Sequence, residues 1–224
     1  MPSAEDELLQ VYFPSGLPTG HASTRSRIHE IGLWHLTLQF WIVRRSRDGS
    51  HRLLFQERHL SQQAWPGKLD TTSAGHVLQG ETDLFRELEE ELGVRPSAND
   101  VSFVGVRRWD DAADPNMIDR ELHQTYIWIN DLPLDAYRLQ PDEVTALVEL
   151  TLSDAEALVT DKSHAVPGVR YEMSEAQRSV TVRKDMLVPV VDGYYLKVID
   201  AARRRIAGES ETEIIHGWLP NPIL

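Results

Sequence analysis

The chain has 224 residues, with 23 lysines and arginines against 35 aspartates and glutamates and a formal net charge of −12. This acidic balance argues against a nucleic-acid polymer or an anionic membrane surface as a partner, because both require a basic face. The absence of cysteine excludes disulfides, thiolate metal sites and cysteine nucleophiles, and it fits a cytoplasmic protein.

The first part of the chain predicts strands joined by turns and a short helix. Apolar runs predict strands at residues 8–13, 33–43, 53–57 and 69–74. The segment Arg47-Asp48-Gly49 lies between the second and third runs and predicts a hairpin. Ser23 or Thr24 can cap a helix that ends at Gly32.

The second part predicts further strands, followed by helices. Apolar runs predict strands at residues 101–106, 122–128 and 145–152. Residues 109–116, rich in Asp, Ala and Pro, predict a loop. Ser153 can cap a short helix to about residue 159, and Asp192 can cap a longer one. One face of the longer helix is apolar and consists of Tyr195, Val198, Ile199, Ala202 and Ile206.

This order of elements predicts an α/β fold, with a mixed sheet covered by helices. We expect a single domain over residues 1–224, with its core at about residues 30–160. An N-terminal strand precedes this core, and a C-terminal helical extension follows over about residues 161–224.

Residues 82–92 predict a helix that Thr82 caps and Gly93 ends. Successive residues of a helix are about 100° apart, so Phe85 and the leucines of this segment form one apolar sector. That sector must pack against an apolar part of the protein.

Three glutamates of this helix, Glu87, Glu90 and Glu91, fall in the neighbouring sector, with Glu89 on the far side. Carboxylates beside a buried seam are hard to keep ionised unless a cation lies among them. Their hard oxygen ligands favour Mg²⁺ or Mn²⁺, ions that commonly coordinate a substrate phosphate. A solvated acidic face is the alternative interpretation, because most glutamate runs on helices are solvated.

The helix and the turn before it carry a recognisable pattern. Gly75 and Glu81 are followed by Arg-Glu-Leu-Glu-Glu-Glu-Leu-Gly-Val at residues 86–94. This segment resembles the Nudix box, and the resemblance implies the Nudix fold, an α/β/α sandwich. Gly75 and Glu81 would shape the loop, and Arg86 would orient a glutamate through a salt bridge.

The same resemblance implies the roles of the acidic residues. Arg86, Glu87 and Glu90 would be catalytic, and the ligands of Mg²⁺ or Mn²⁺ would be Glu87, Glu90 and Glu91. The chain departs from the family pattern in one respect, because four residues separate Glu81 from Arg86 where the pattern has seven. On a continuous helix, the loss of three residues would rotate Glu81 by about 60° relative to Arg86.

Other segments, at residues 32–35, 65–67 and 72–76, resemble the Nudix branch that contains the type I isopentenyl-diphosphate isomerases. In that branch, histidines and later carboxylates hold a metal. The matching positions here are His29, His35, His76, Asp119 and Glu121, of which His29 is the weakest match because its spacing to His35 differs. Imidazole and carboxylate ligands favour Mn²⁺ or Zn²⁺. The alternative is that these histidines are structural or lie on the surface.

The same branch places a catalytic cysteine two residues before the box-loop histidine, where this chain has Ala74. The acid–base pair for isomerisation is therefore incomplete, whereas the glutamates for hydrolysis are present. We expect metal-dependent hydrolysis of a diphosphate linkage in a nucleoside-diphosphate-like or other small organic diphosphate. A homodimer would be in keeping with Nudix relatives. The alternatives are an isomerase-like enzyme acting on isopentenyl diphosphate and a non-catalytic module that binds a diphosphate metabolite.

Overall fold

The computed structural model describes residues 4–46, 48–62, 64–114, 117–173, 175–209 and 215–224. Their strands and helices follow in this order: β1 (Leu8–Tyr12), β2 (Pro18–Thr24), α1 (Arg25–Ile31), β3 (Trp34–Arg45), β4 (His51–Arg58), β5 (Leu69–Asp70), β6 (Ser73–His76), α2 (Arg86–Leu92), β7 (Val101–Asp114), β8 (Met117–Asn130), β9 (Val144–Thr151), α3 (Leu152–Val159), β10 (Ala165–Tyr171), β11 (Arg178–Arg183) and α4 (Tyr194–Ile206). Among these residues, no helix is both long enough and apolar enough to cross a membrane.

The strands join in one sheet, and the long strand β3 organises it. Along one edge, β3 pairs in parallel with β8, which places His35 opposite Glu121. Along its other edge, β3 pairs in succession with β1, β6 and β4, all antiparallel. The sheet continues from β4 through β9 and β10 to β11, while β7 extends β8 and β2 extends β1. The predicted mixed sheet is therefore confirmed.

Alternating residues of β3 face the two layers of helices. Phe40 lies in an apolar cluster with Phe85 and with Leu88 of α2, and the two phenylalanine rings are 5.8 Å apart. On the opposite face, Trp41 lies in a second cluster with residues of α3 and α4, including Tyr195. Because helices cover both faces of the sheet, the predicted α/β/α sandwich is confirmed.

Three helices begin close to where the sequence predicts. Thr24 caps α1 by accepting the Arg27 N–H, and α1 ends at Gly32, whose φ is 67°. The longer helix α4 begins just after Asp192, whose carboxylate accepts the Tyr194 N–H at 3.3 Å. The predicted cap of α3 was wrong by two residues, because Thr151 rather than Ser153 accepts the Asp154 N–H.

The helix that carries the glutamates is shorter than predicted. It begins at Arg86 rather than after Thr82, and its N-terminus has no side-chain cap. Asp83 accepts the Phe85 N–H at 3.0 Å, so the residues before Arg86 form a hydrogen-bonded turn instead of a first helical turn. The end of the helix is as predicted, since Gly93 adopts a left-handed conformation with a φ of 64°.

Two other predictions were wrong. The predicted loop at 109–116 is largely strand, with Trp109 of β7 opposite Glu121 of β8, although residues 115–116 lie outside the described residues. The predicted helical extension also contributes β10 and β11 to the sheet. Proline is unfavourable inside a strand, so Pro167 argues against β10 in the sequence, but it lies in the part of β10 that pairs with β11 alone.

The hairpin between β3 and β4 is confirmed, although Arg47 is not among the described residues.

Candidate active site and metal centre

Strand β6 lies between two groups of ionisable side chains. We call Glu81, Arg86, Glu87, Glu90 and Glu91 the box cluster, and His29, His35, His76 and Glu121 the histidine cluster. A Cβ placed on Gly75 would lie 2.1 Å from Cγ of Glu87, whereas Nε2 of the next residue, His76, lies 3.4 Å from Oε1 of Glu121. Because successive strand residues face opposite sides, β6 touches one cluster on each side.

Arg86 holds the box cluster together. Its guanidinium lies 2.5 Å from a carboxylate oxygen of Glu81, 2.8 Å from one of Glu87 and 2.9 Å from one of Glu90. It also donates to the backbone carbonyl of His76 at 3.0 Å, which ties α2 to β6. The planar guanidinium has five N–H donors, so a single side chain can orient several carboxylates.

The shortened box does not separate Glu81 from Arg86. Glu81 accepts hydrogen bonds from Nε and Nη2 of Arg86 and from the Leu78 N–H at 2.9 Å. The 60° rotation expected on a continuous helix does not arise, because the residues between Glu81 and Arg86 are not helical. The three residues that are missing relative to the family pattern therefore shorten the turn before α2 and leave the helix itself unchanged.

The three glutamates proposed as cation ligands differ in environment. The Glu91 side chain is buried, and its Oε2 has no hydrogen-bond partner in the described part of the chain. Burial raises the pKa of Glu87 to about 7, with Arg86 opposing the shift. Burial also raises the pKa of Glu91 well above its usual range, and the charge of Glu87 adds to this effect. Glu90 is half exposed and pairs with Arg86, whereas Glu89 lies apart and pairs with Arg95 at 2.8 Å.

The histidine cluster converges on one carboxylate. Each of its four members offers a ligand atom, and these four atoms all lie within 4.8 Å of one another. His35 Nε2 lies 3.5 Å from Glu121 Oε1, and the Nδ1–H of His35 donates to the Leu33 carbonyl at 3.0 Å. That hydrogen bond leaves the lone pair of His35 on Nε2. Within the described residues, the buried Nε2 atoms of His35 and His76 have no hydrogen-bond partner.

His29 and Asp119 complete the surroundings of this cluster. The ring of His29 lies 5.1 Å from that of His35, so the weakest sequence match belongs to the cluster. Asp119 is not one of the four converging residues, but its Oδ1 lies 3.7 Å from His29 Nε2. Burial, followed by the charge of Glu121, raises the pKa of Asp119 to about 8.

The ionisation of these residues suits a cation. Burial lowers the pKa of His29 and His76 to about 4, so both rings are neutral at pH 7 and keep a lone pair for a ligand. Burial opposes the ionisation of Glu121, but hydrogen bonding by His123 holds its pKa well below the usual range. Neutral imidazoles, an ionised carboxylate and unpartnered buried ligand atoms fit Mn²⁺ or Zn²⁺. The carboxylate oxygens of Glu87 and Glu91 fit Mg²⁺ or Mn²⁺.

Comparisons with known proteins agree with the box. The NUDIX domain family matches residues 35–169, which is more than half of the chain. An uncharacterized Nudix hydrolase of Clostridium acetobutylicum is 33% identical over 208 residues, covering 88% of this chain and 97% of that protein. The chain belongs to the Nudix family. It is accordingly a Nudix-type hydrolase.

Other relatives of this Nudix chain are more distant or larger. Nudix hydrolase 3 of Arabidopsis thaliana is 31% identical over 215 residues, covering 92% of this chain but 24% of that protein. This Nudix chain thus spans about a quarter of the plant protein. A crystal structure from Deinococcus radiodurans is 20% identical with a TM-score of 0.49, and the match covers 70% of this chain and 88% of that one.

Sequence reasoning missed two residues next to the histidine cluster of this Nudix protein. His123 lies 2.5 Å from Oε2 of Glu121, and Arg107 lies 3.2 Å from the other ring nitrogen of His123. The alternation of side chains along a strand could have identified His123, because residues two positions apart lie on the same face and His123 follows Glu121 by two positions. Arg107 is opposite His123 on β7, a register that no local sequence pattern reveals.

Proposed function

We propose that this Nudix hydrolase cleaves a diphosphate linkage in a small organic diphosphate, such as a nucleoside-diphosphate-like compound, with the help of divalent cations. The proposal depends mainly on one observation, the contact of β6 with both clusters. Gly75 lets Glu87 approach the strand on one side, and His76 joins Glu121 on the other. The two sets of proposed cation ligands would therefore lie next to each other, which is useful for binding the charged oxygens of a diphosphate.

Three residues that would hold the cations, Glu91, His35 and His76, have a buried ligand atom without a hydrogen-bond partner among the described residues. Glu87, Glu90 and Glu91 would bind Mg²⁺ or Mn²⁺, as the box resemblance implies. The second site, for Mn²⁺ or Zn²⁺, would consist of His29, His35, His76 and Glu121, with Asp119 beside them. Bound divalent cations neutralise phosphate charge and acidify water.

The chain itself would orient the reacting groups and move the proton. Arg86 fixes the carboxylates of Glu87 and Glu90, so that neither has to reorganise when substrate arrives. A base must accept the proton of the attacking water. A glutamate of the box cluster, or a carboxylate from a later loop, would do this.

The test is a panel of organic diphosphates incubated with Mg²⁺ or Mn²⁺ and followed by phosphate release and product mass. We expect turnover by the native chain and its near-complete loss in Glu87→Gln, Glu90→Gln and Glu91→Gln. Glu89→Gln is the matched control, because Glu89 lies on the same helix but pairs with Arg95 away from the cluster. Retained turnover in Glu90→Gln, or equal loss in Glu89→Gln, would refute the assignment.

The histidine cluster also supports a second candidate, an isomerase-like reaction on isopentenyl diphosphate. In its favour, the histidines and Glu121 that match that Nudix branch do converge. Against it, Ala74 occupies the position of the catalytic cysteine. Double-bond migration without phosphate release would favour the isomerase, and thermal stabilisation by a diphosphate without any turnover would favour a binding module.

A further inference from the structure

A chain of hydrogen bonds connects the histidine cluster to the segment before α4. The buried guanidinium of Arg107 donates to both carboxylate oxygens of Asp192, at 2.7 and 3.0 Å. Its Nη1 lies 3.2 Å from Nδ1 of His123, and Nε2 of His123 lies 2.5 Å from Oε2 of Glu121. Asp192 lies outside the part of the chain that the family pattern matches.

These contacts fix the tautomer of His123. Arginine has donors only, so Nδ1 of His123 must accept the hydrogen bond from Arg107. The proton of the neutral ring is then on Nε2, from which it donates to Oε2 of Glu121. One oxygen of Glu121 is thereby bound to His123, while Oε1 faces His35 and His76 at 3.5 and 3.4 Å.

Arg107 is buried, contacts two aromatic rings and has its charge balanced by a carboxylate. Its guanidinium lies over the rings of Trp109 and Tyr194, 4.5 and 4.3 Å from their centroids. The carboxylate of Asp192 compensates its charge, so Arg107 can orient His123 without strongly repelling a cation bound at Glu121.

We propose that His123 and Arg107 are positioning residues that hold Glu121 as a cation ligand, with Asp192 anchoring Arg107 from outside the matched domain. This proposal rests on the proposed binding of a cation by the histidine cluster. Neither residue is one of the four whose ligand atoms converge in the histidine cluster. Partners that orient a ligand in this way typically change metal affinity by about 10- to 100-fold when they are removed.

The experiment measures the affinity of the metal-free full-length chain for Mn²⁺ alone, by calorimetry, with circular dichroism as a check on folding. In the native chain we expect a Mn²⁺ site that His35→Gln abolishes. His123→Leu and Arg107→Met should weaken that site about 10- to 100-fold. His123→Gln should largely restore it, because the glutamine amide can place an N–H near the position of the imidazole Nε2.

Arg108→Met is the matched control, since Arg108 is the exposed neighbour of Arg107 on the same strand, and it should leave the affinity unchanged. Native affinity in both His123→Leu and Arg107→Met would overturn the positioning role, as would equal weakening in His123→Leu and His123→Gln. Absence of any His35-dependent Mn²⁺ site in the native chain would instead overturn the cation assignment itself.

Discussion

Gly75 of β6 and Glu87 of α2 are so close that a Cβ on Gly75 would lie 2.1 Å from Cγ and Cδ of the glutamate. The backbone conformation of Gly75 is not left-handed, so the glycine is needed for this approach rather than for a turn. The glycine of the box therefore brings a carboxylate against the strand that also carries His76.

Replacing Gly75 with alanine should displace Glu87 and reduce diphosphate hydrolysis at least tenfold. We expect a loss of about 1–3 kcal/mol in the free energy of unfolding, the usual cost of an overpacked site. Gly49→Ala is the control, because Gly49 lies in a turn with open space around it and should lose stability through its positive φ alone. Steady-state kinetics and urea unfolding measure the two effects. Native activity in Gly75→Ala would show that the contact is unimportant.

Arg86→Lys should lower kcat/KM by about 10- to 100-fold, as for other residues that orient functional groups. A lysine ammonium cannot replace the planar guanidinium of Arg86, which contacts Glu81, Glu87 and Glu90 at the same time. Arg95→Lys provides the comparison, since Arg95 is exposed and pairs with residues outside the cluster. Steady-state kinetics on the best substrate of the panel should separate the two variants, and similar kinetics in both would argue against the role of Arg86.

The contribution of Glu87 to the stability of the metal-free chain should become more favourable as the pH falls from about 7 toward 4.5. Burial raises the pKa of Glu87 from 4.5 to about 7, so the folded state binds this proton more tightly than the unfolded state does. Above pH 7 the ionised Glu87 costs roughly 3 kcal/mol of folding free energy. Glu87→Gln should remove that cost.

Urea unfolding in the presence of a chelator tests this pH dependence. Glu87→Gln should be more stable than the native chain at pH 8, and the difference should nearly vanish at pH 4.5. Glu89→Gln supplies the baseline, because Glu89 is exposed. A difference between Glu87→Gln and the native chain that is the same at both pH values would contradict the raised pKa.

Thr151→Ala should destabilise the protein by about 1 kcal/mol, the usual cost of losing a helix cap. Thr151 accepts the Asp154 N–H at 3.0 Å at the start of α3. Ser153→Ala should change the free energy of unfolding by much less, although the sequence predicts Ser153 as the cap. Urea denaturation distinguishes the two residues, and a larger loss in Ser153→Ala would restore the sequence-based assignment.

Local patterns in the sequence were sufficient to predict most strands of the sheet and to identify the residues of the box. The turn at Asp48-Gly49, the end of α2 at Gly93 and the cap at Thr24 are short-range effects, and each is confirmed. Strand β10 was missed because Pro167 argues against a strand locally, whereas pairing with β11 accommodates it.

The histidine cluster could be anticipated only through the family resemblance. The parallel register of β3 and β8 brings His35 opposite Glu121, although the two are far apart in sequence. No periodicity predicts which strands become neighbours, so Arg107 and Asp192 could not be connected with Glu121 before the fold was known. The sequence also could not show that the shortened box keeps Glu81 in contact with Arg86, because this contact depends on the turn before α2 being non-helical.

Anomalous diffraction at the manganese edge, from a crystal soaked in MnCl₂, would show whether both clusters bind cations. We expect manganese peaks beside Glu87 and Glu91 and within the histidine cluster, on the two sides of β6. Well-ordered side chains at both places with no manganese peak at either would contradict this expectation.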